Sequence, residues 1–162
     1  EVTPHHLFLN QNDEKTLGAF AMMRPPLRTK EDNQALWQAL RNGLIDYLAT
    51  DHAPHTLKEK KSKKPPNGVP GLETMLPLML TAVSQKRLTL ARLIELISVN
   101  PARMLGIKRG KNTFTEVDLS KKWIIENSKL KTKCGWSPFN NWQVKGQVIR
   151  VFLKGRKVFE NK

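Results

Sequence analysis

Cysteine is almost missing from this chain: Cys134 is the single one among 162 residues, which excludes an internal disulfide framework and fits a reducing compartment. No base neighbours it in sequence, so Cys134 reads as a structural or surface residue and not as a nucleophile. No apolar run reaches the roughly 18 residues that a membrane span needs, and no signal-peptide pattern is visible. Acidic residues are scarce, 14 against 28 Lys plus Arg, for a formal charge of +14. Such an excess raises nucleic acid or an acidic partner as a possibility. The charge is spread along the chain, however, with one concentration at Lys58, Lys60, Lys61, Lys63 and Lys64. That run has no interleaved aromatics for base stacking and leads into Pro65 and Pro66, so it reads as a solvated loop and nucleic-acid binding is not expected. Nothing matches a phosphate-binding loop, a dinucleotide fingerprint, a serine nucleophile elbow or an internal repeat.

What is present in strength is one stretch, LIDYLATDHAPH, from Leu44 to His55. Leu44, Ile45, Tyr47, Leu48 and Ala49 form an apolar run without alternation, the pattern of a strand covered on both faces inside a parallel α/β barrel. Asp51 then falls at the carboxyl end of that strand, where the loops of such a barrel converge on one pocket. Asp51, His52 and His55 are therefore site candidates on pattern alone. The plainer alternative is that Asp51 merely caps a turn or a helix.

The rest of the chain reads in order around that stretch. Glu1 to Leu9 suggests a strand end entering a loop, with His5 and His6 adjacent and diverging, one of them buried and hydrogen-bonded. Met22 to Leu27 is a stiff turn set by Pro25 and Pro26. Thr29 to Asn42 predicts a helix opened by a Thr29/Asp32 capping box, with Ala35, Leu36, Ala39 and Leu40 as its buried stripe and Trp37 at the edge. GVPG then leads into a long apolar helix from Leu72 to Lys86, expected to pack on the outside of a barrel sheet, its methionines serving as core filler. A further helix runs from Thr89 to Ile97, and Asn100 with Pro101 is read as the N-cap and first turn of another that Gly106 stops. From Thr113 onward β-branched and aromatic residues predict strands over 114–119, 123–125 and 144–159, with a hairpin turn at Gly155 and Arg156.

Longer strings in the same order carry a family resemblance. ATDHAPHTLKEK followed by GVPGLETMLPLMLTAV is similar to the dihydroorotases of the amidohydrolase superfamily, nearest to the dihydroorotase domains of the multifunctional animal pyrimidine-synthesis proteins. EVTPHHLFL, MMRPPLRTKEDNQALWQAL, SVNPARMLGI, TEVDLSKKWII and GWSPFNNWQVKGQVIRVFLKGR extend the resemblance over nearly the whole chain. It implies an α/β fold: the C-terminal part of a metal-dependent hydrolase (β/α)8 TIM barrel over residues 1–110, then part of a small β-sandwich over 111–162. Eight-stranded barrels take about 250 residues, so at 162 residues the chain is expected to be the C-terminal piece of a longer protein.

The activity implied is the reversible closure of N-carbamoyl-L-aspartate to (S)-dihydroorotate in pyrimidine synthesis. A neutral amide is a poor electrophile and water a poor nucleophile, and a binuclear Zn2+ centre improves both. By resemblance, Asp51 is a zinc ligand and the catalytic proton acceptor, while His55 binds the substrate carboxylate. Arg24 and Asn67 match positions whose backbone groups hold the pyrimidine ring, His52 supports the loop, and Glu1 matches a carboxylate near an additional zinc. The His-x-His pair, the bridging lysine and two further histidine ligands lie outside this sequence, so the isolated chain is expected to be inactive. The resemblance also implies fused carbamoyl-phosphate synthetase and aspartate transcarbamoylase domains, a homo-oligomer, a cytoplasmic location and no membrane. The competing readings are another cyclic amidohydrolase, of dihydropyrimidinase or allantoinase type, and a non-catalytic dihydroorotase-like scaffold domain. HAPH favours dihydroorotase over the first, because those substrates lack the carboxylate that His55 would meet.

Overall fold

The computed structural model describes residues 1–161. Its first segment brings two chain stretches side by side in parallel: Val2 bridges Leu48, with Val2 N–H donating to the Tyr47 carbonyl (3.2 Å) and Ala49 N–H to that of Val2 (3.1 Å). A second parallel bridge joins His52 to Val69. The expected strand over Leu44–Ala49 is thus reduced to a bridge, with Leu44 78 % exposed while Ile45 and Leu48 are buried. Side chains and a turn take the place of a ladder there. Arg92 donates to the carbonyls of Leu40 and Ile45, Asn100 donates to that of Asp46, and Leu48 N–H finds the Leu96 carbonyl.

Helices surround these stretches. α1 (Pro4–Phe8) follows Val2 directly, where the sequence suggested a loop; Thr3 caps it and Pro4 suits its first turn. α2 (Gln11–Leu17) carries an Asn10/Asp13 capping box, and a 3-10 turn leads from it to the Arg24–Pro25 cis peptide. α3 (Lys30–Arg41) starts at the foreseen Thr29/Asp32 box. Its buried centre is Trp37 with Leu40, while Ala35 is exposed. Trp37 moves from the edge of the stripe to its middle because its indole N–H donates to the Leu7 carbonyl (2.8 Å) and the Arg87 guanidinium lies 3.9 Å from its ring centre.

α4 (Leu57–Lys60) is one capped turn, and α5 (Met75–Ser84) is shorter than the foreseen Leu72–Lys86. α6 (Leu90–Ile94), capped by Thr89, runs through a π turn over Glu95–Val99 into α7 (Asn100–Met104) without a break. Asn100 is therefore helical and not an N-cap. Pro101 has no N–H to offer a carbonyl one turn back and its ring would crowd it, and the wide turn just before it gives the room.

The tail forms one antiparallel sheet in the order β1 (Phe114–Ile124), β2 (Gln143–Leu153), β3 (Arg156–Glu160). The hairpin turn is Lys154–Gly155, one residue earlier than foreseen, and both have positive φ (52° and 81°) as a two-residue primed turn demands. Between the paired Asp118↔Gln147 and Lys122↔Lys145, β1 bulges opposite Gly146. At Gly146 (φ 104°) an added Cβ would stand 2.6 Å from Leu80 Cβ. That contact brings α5 down onto β2, so the sheet of the tail is a main partner of this helix. An open groove of about 610 Å³ runs beside the seam, lined by Leu76, Leu80, Trp123, Val148 and Phe159 among others.

Two apolar clusters result. One joins Val2, Leu7, Trp37, Leu40 and Leu48 to Met79, Leu80, Leu93 and Leu96. The other joins Leu9, Met23, Leu27, Val69 and Leu78 to Ile125, Cys134, Trp136, Phe139 and Val144, so both halves of the chain share a core. Cys134 is a buried member of it. No described helix is long and apolar enough to cross a membrane.

Candidate active site

Asp51 closes the bridged segment with φ 43°, a left-handed conformation that turns the chain just past the strand and leaves the residue exposed. Among the described residues its carboxylate accepts no hydrogen bond, so both oxygens are unengaged just past the bridged segment. His52 turns the other way. Its Nδ1 accepts from Gly71 N–H (3.1 Å) and Leu72 N–H (3.4 Å), which puts the ring proton on Nε2 and holds the loop before α5. Its predicted role as loop support describes these contacts.

His55 is half-buried, and its Nε2 lies 3.1 Å from the Asn67 carbonyl. A carbonyl only accepts, so Nε2 carries the proton and Nδ1 remains open. The Asn67 carbonyl is thereby engaged, whereas its N–H has no partner among the described residues. The loop around Asn67 lies hard against the His55 segment: Ala53 N–H donates to the Val69 carbonyl (3.0 Å), and a Cβ on Gly68 would come 2.5 Å from Ala53 Cβ. Gly68 N–H also donates to the Met22 carbonyl (2.8 Å), two residues before the exposed Arg24. Backbone hydrogen bonds thus bring the Arg24 turn, the His55 loop and the Asn67 loop together.

Glu1 lies elsewhere. It precedes the Val2–Leu48 bridge, and its carboxylate beside the Tyr47 hydroxyl raises the phenol pKa through a hydrogen bond and charge repulsion. Asp51 follows that bridge by three residues, and no group of three or more His, Cys, Asp or Glu among the described residues could hold a metal ion. Asp51 fits the part of a single ligand, since its carboxylate is free and at a strand end, but this chain does not assemble a centre around it.

The paired histidines divide differently from expectation. His5 is buried with Nε2 unpartnered, and desolvation first and His6 second push its pKa down to about 3. His6 is the bonded one: Nε2 donates to the Pro25 carbonyl (2.9 Å) and Nδ1 accepts from the Thr3 hydroxyl (2.7 Å). It ties the first strand end to the cis-proline turn. The basic run also departs from its reading as wholly solvated, because Lys60 is only 1 % exposed. No local pattern separates Lys60 from the other lysines. Gly68 beside Asn67 was the one visible sign of a close approach in that loop.

The sequence comparisons bear on this geometry. Residues 8–158 match the amidohydrolase family. The chain belongs to that family. Over 160 residues it is 49 % identical to the multifunctional protein CAD of Squalus acanthias, a match that covers 98 % of this chain and 7 % of that protein. Over 166 residues it is 42 % identical to the dihydroorotase of Pyrococcus furiosus, covering 99 % of this chain and 39 % of that enzyme. Among solved structures, the L-hydantoinase (dihydropyrimidinase) from Arthrobacter aurescens superposes with a TM-score of 0.91 at 32 % identity, covering 98 % of this chain and 38 % of the other. The chain therefore spans about two fifths or less of the relatives it matches. Its fold is part of the amidohydrolase α/β barrel with an adjoining β segment, and family membership implies a metal cofactor.

Proposed function

We propose that residues 1–162 supply part of a dihydroorotase, a cyclic amidohydrolase that interconverts N-carbamoyl-L-aspartate and (S)-dihydroorotate. The observation that carries this reading is the placement of His55 beside the Asn67 loop, one short turn after a free strand-end carboxylate. The proposed division is a barrel portion over 1–110 and a β-sandwich portion over 111–162. The proposed metal is zinc, with Asp51 as the ligand from this chain. Bound there, zinc would acidify water and polarise the scissile carbonyl. Asp51 would keep one oxygen for the metal and use the other to take the proton from the attacking water and return it to the leaving nitrogen. His55, with Nδ1 open, would point that nitrogen at the substrate carboxylate and, as an imidazolium, donate to it. The free N–H of Asn67 and the backbone of the Arg24 turn would hold the ring amide.

The similarity to a multifunctional protein supports a fusion context; carbamoyl-phosphate synthetase and aspartate transcarbamoylase domains as the fused partners, a cytoplasmic location and a homo-oligomer remain part of the proposal. A hydantoinase-type activity is the second reading, favoured by the superposition at TM-score 0.91. The two separate on the substrate carboxylate. In the complete polypeptide that includes this chain, Asp51→Ala is expected to cut dihydroorotate hydrolysis at least about 10³-fold and to lower metal content. His55→Ala should keep the metal but raise KM for dihydroorotate far more than for a cyclic amide without the carboxylate. Full activity in the Asp51 variant, or equal loss on both substrates in the His55 variant, would remove the assignment.

A further inference from the structure

Lys60 is the one lysine of the basic run that is buried, and it is in no ion pair among the described residues. An ammonium withdrawn from water without a counter-ion is unfavourable unless its donors are met. Here they are met by the loop that carries Asn67. Lys60 Nζ donates to the carbonyls of Pro66 (2.8 Å) and Gly68 (3.1 Å), and it lies 5.5 Å from the centre of the Trp136 ring. Burial lowers its pKa, as expected for a desolvated cation.

The contacts close into a ring. Trp136 indole N–H donates to the His55 carbonyl (2.7 Å), and His55 Nε2 donates to the Asn67 carbonyl (3.1 Å). Asn67 stands between the two residues whose carbonyls Lys60 holds. Carbonyls 66 and 68 are thus drawn to the ammonium while carbonyl 67 faces His55.

We propose that Lys60 is a positioning residue for recognition of a carboxylate-bearing cyclic amide, fixing the Asn67 loop and, through it and Trp136, the His55 imidazole. The proposal rests on the dihydroorotase-type reading of the site. Lys60 does not touch substrate. It restricts the loop so that the His55 ring and the Asn67 N–H are set before substrate arrives, which favours binding without entering the chemical step.

The test is steady-state kinetics on dihydroorotate with the complete polypeptide. Lys60→Met keeps the apolar stem and removes the charge and donors. We expect KM to rise about ten-fold with kcat within about three-fold and metal content unchanged, a split that loss of fold or metal would not produce. Lys60→Arg, which restores charge and donors, should recover part of the KM. Trp136→Phe keeps the ring under the ammonium but loses the bond to the His55 carbonyl, and should raise KM about three-fold; if Lys60→Met does not fold, Lys60→Gln, which removes the charge but keeps a donor, takes its place with the same expected rise in KM. Unchanged KM in both Lys60→Met and Trp136→Phe, with His55→Ala still raising it, overturns the role of Lys60 and leaves the site reading intact. Unchanged KM in His55→Ala overturns the site reading and this proposal with it.

Discussion

The first hundred residues and the last fifty satisfy their backbones in opposite ways. β2 pairs with β1 across the connection over 125–142 and with β3 across a tight turn, so every ladder partner of the tail lies within 50 residues in sequence. The bridged segments around Val2, Leu48, His52 and Val69 are parallel, and each needs neighbours delivered by long crossovers. Where a ladder is missing, Arg92, Asn100 and the Leu96 carbonyl substitute one bond at a time. An antiparallel hairpin carries its own partner, whereas a parallel barrel strand borrows its partners from the rest of the barrel. The candidate site residues Asp51 and His55 sit on the borrowing side.

The largest test of that contrast is hydrogen exchange on the 162-residue polypeptide alone. Amides of β2 and β3 are expected to be protected by orders of magnitude more than those of Val2, Leu48 and Ala49, and the chain should be prone to aggregate through exposed apolar residues such as Leu44. Equal protection in both regions would erase the distinction. Next in size, Gly146→Ala attacks the seam between the regions, since its Cβ would meet Leu80 at 2.6 Å with φ at 104°. We expect a loss of about 3 kcal/mol in the complete polypeptide, read from denaturant melts. A loss under 1 kcal/mol would mean that α5 is not pinned there.

His5 gives a smaller, pH-dependent effect confined to the barrel side. Its folded pKa of about 3 lies below the unfolded 6.5, so between those values the unfolded chain binds a proton that the folded one refuses. Its contribution is therefore complete above pH 6.5 and declines as pH falls toward 3, the loss amounting to about 1.4 kcal/mol at about pH 5.5, one unit below the unfolded value. His5→Gln should flatten that part of the stability–pH curve, and an unaltered slope would place His5 in contact with water. The smallest effect belongs to the tail: Lys154→Asn at the first position of the primed turn should stabilise by about 0.5 kcal/mol, seen as a small rise in Tm.

The elements most legible in the sequence were those whose cause is local. Thr29 and Asp32 mark the start of α3 because both halves of a capping box lie within four residues. The β-rich tail announces itself through its composition, although the turn fell one residue early because Lys154, and not only Gly155, adopts positive φ. Helix continuity at Asn100 was not legible. Asn and Pro suit a helix start, yet Asn100 instead spends its amide on the Asp46 carbonyl, 54 residues away in sequence. At the candidate site, Asp51 and His55 stand out as residue types after a strand-like run. Their surroundings do not.

The sequence by itself determined the family, the capped start of α3, the β character of the tail, and the small set of groups able to do acid–base or anion-binding work. Those follow from residue identity and near-neighbour spacing, which a linear reading contains. The tertiary structure alone decided that Lys60, among five similar lysines, would be buried under Trp136 and tied to carbonyls 66 and 68. It also decided that His5 would be desolvated while His6 is bonded, and that Gly146 would be where α5 meets the sheet. Burial, partner and close approach depend on which distant segments the fold packs together, and adjacency in sequence carries no record of that.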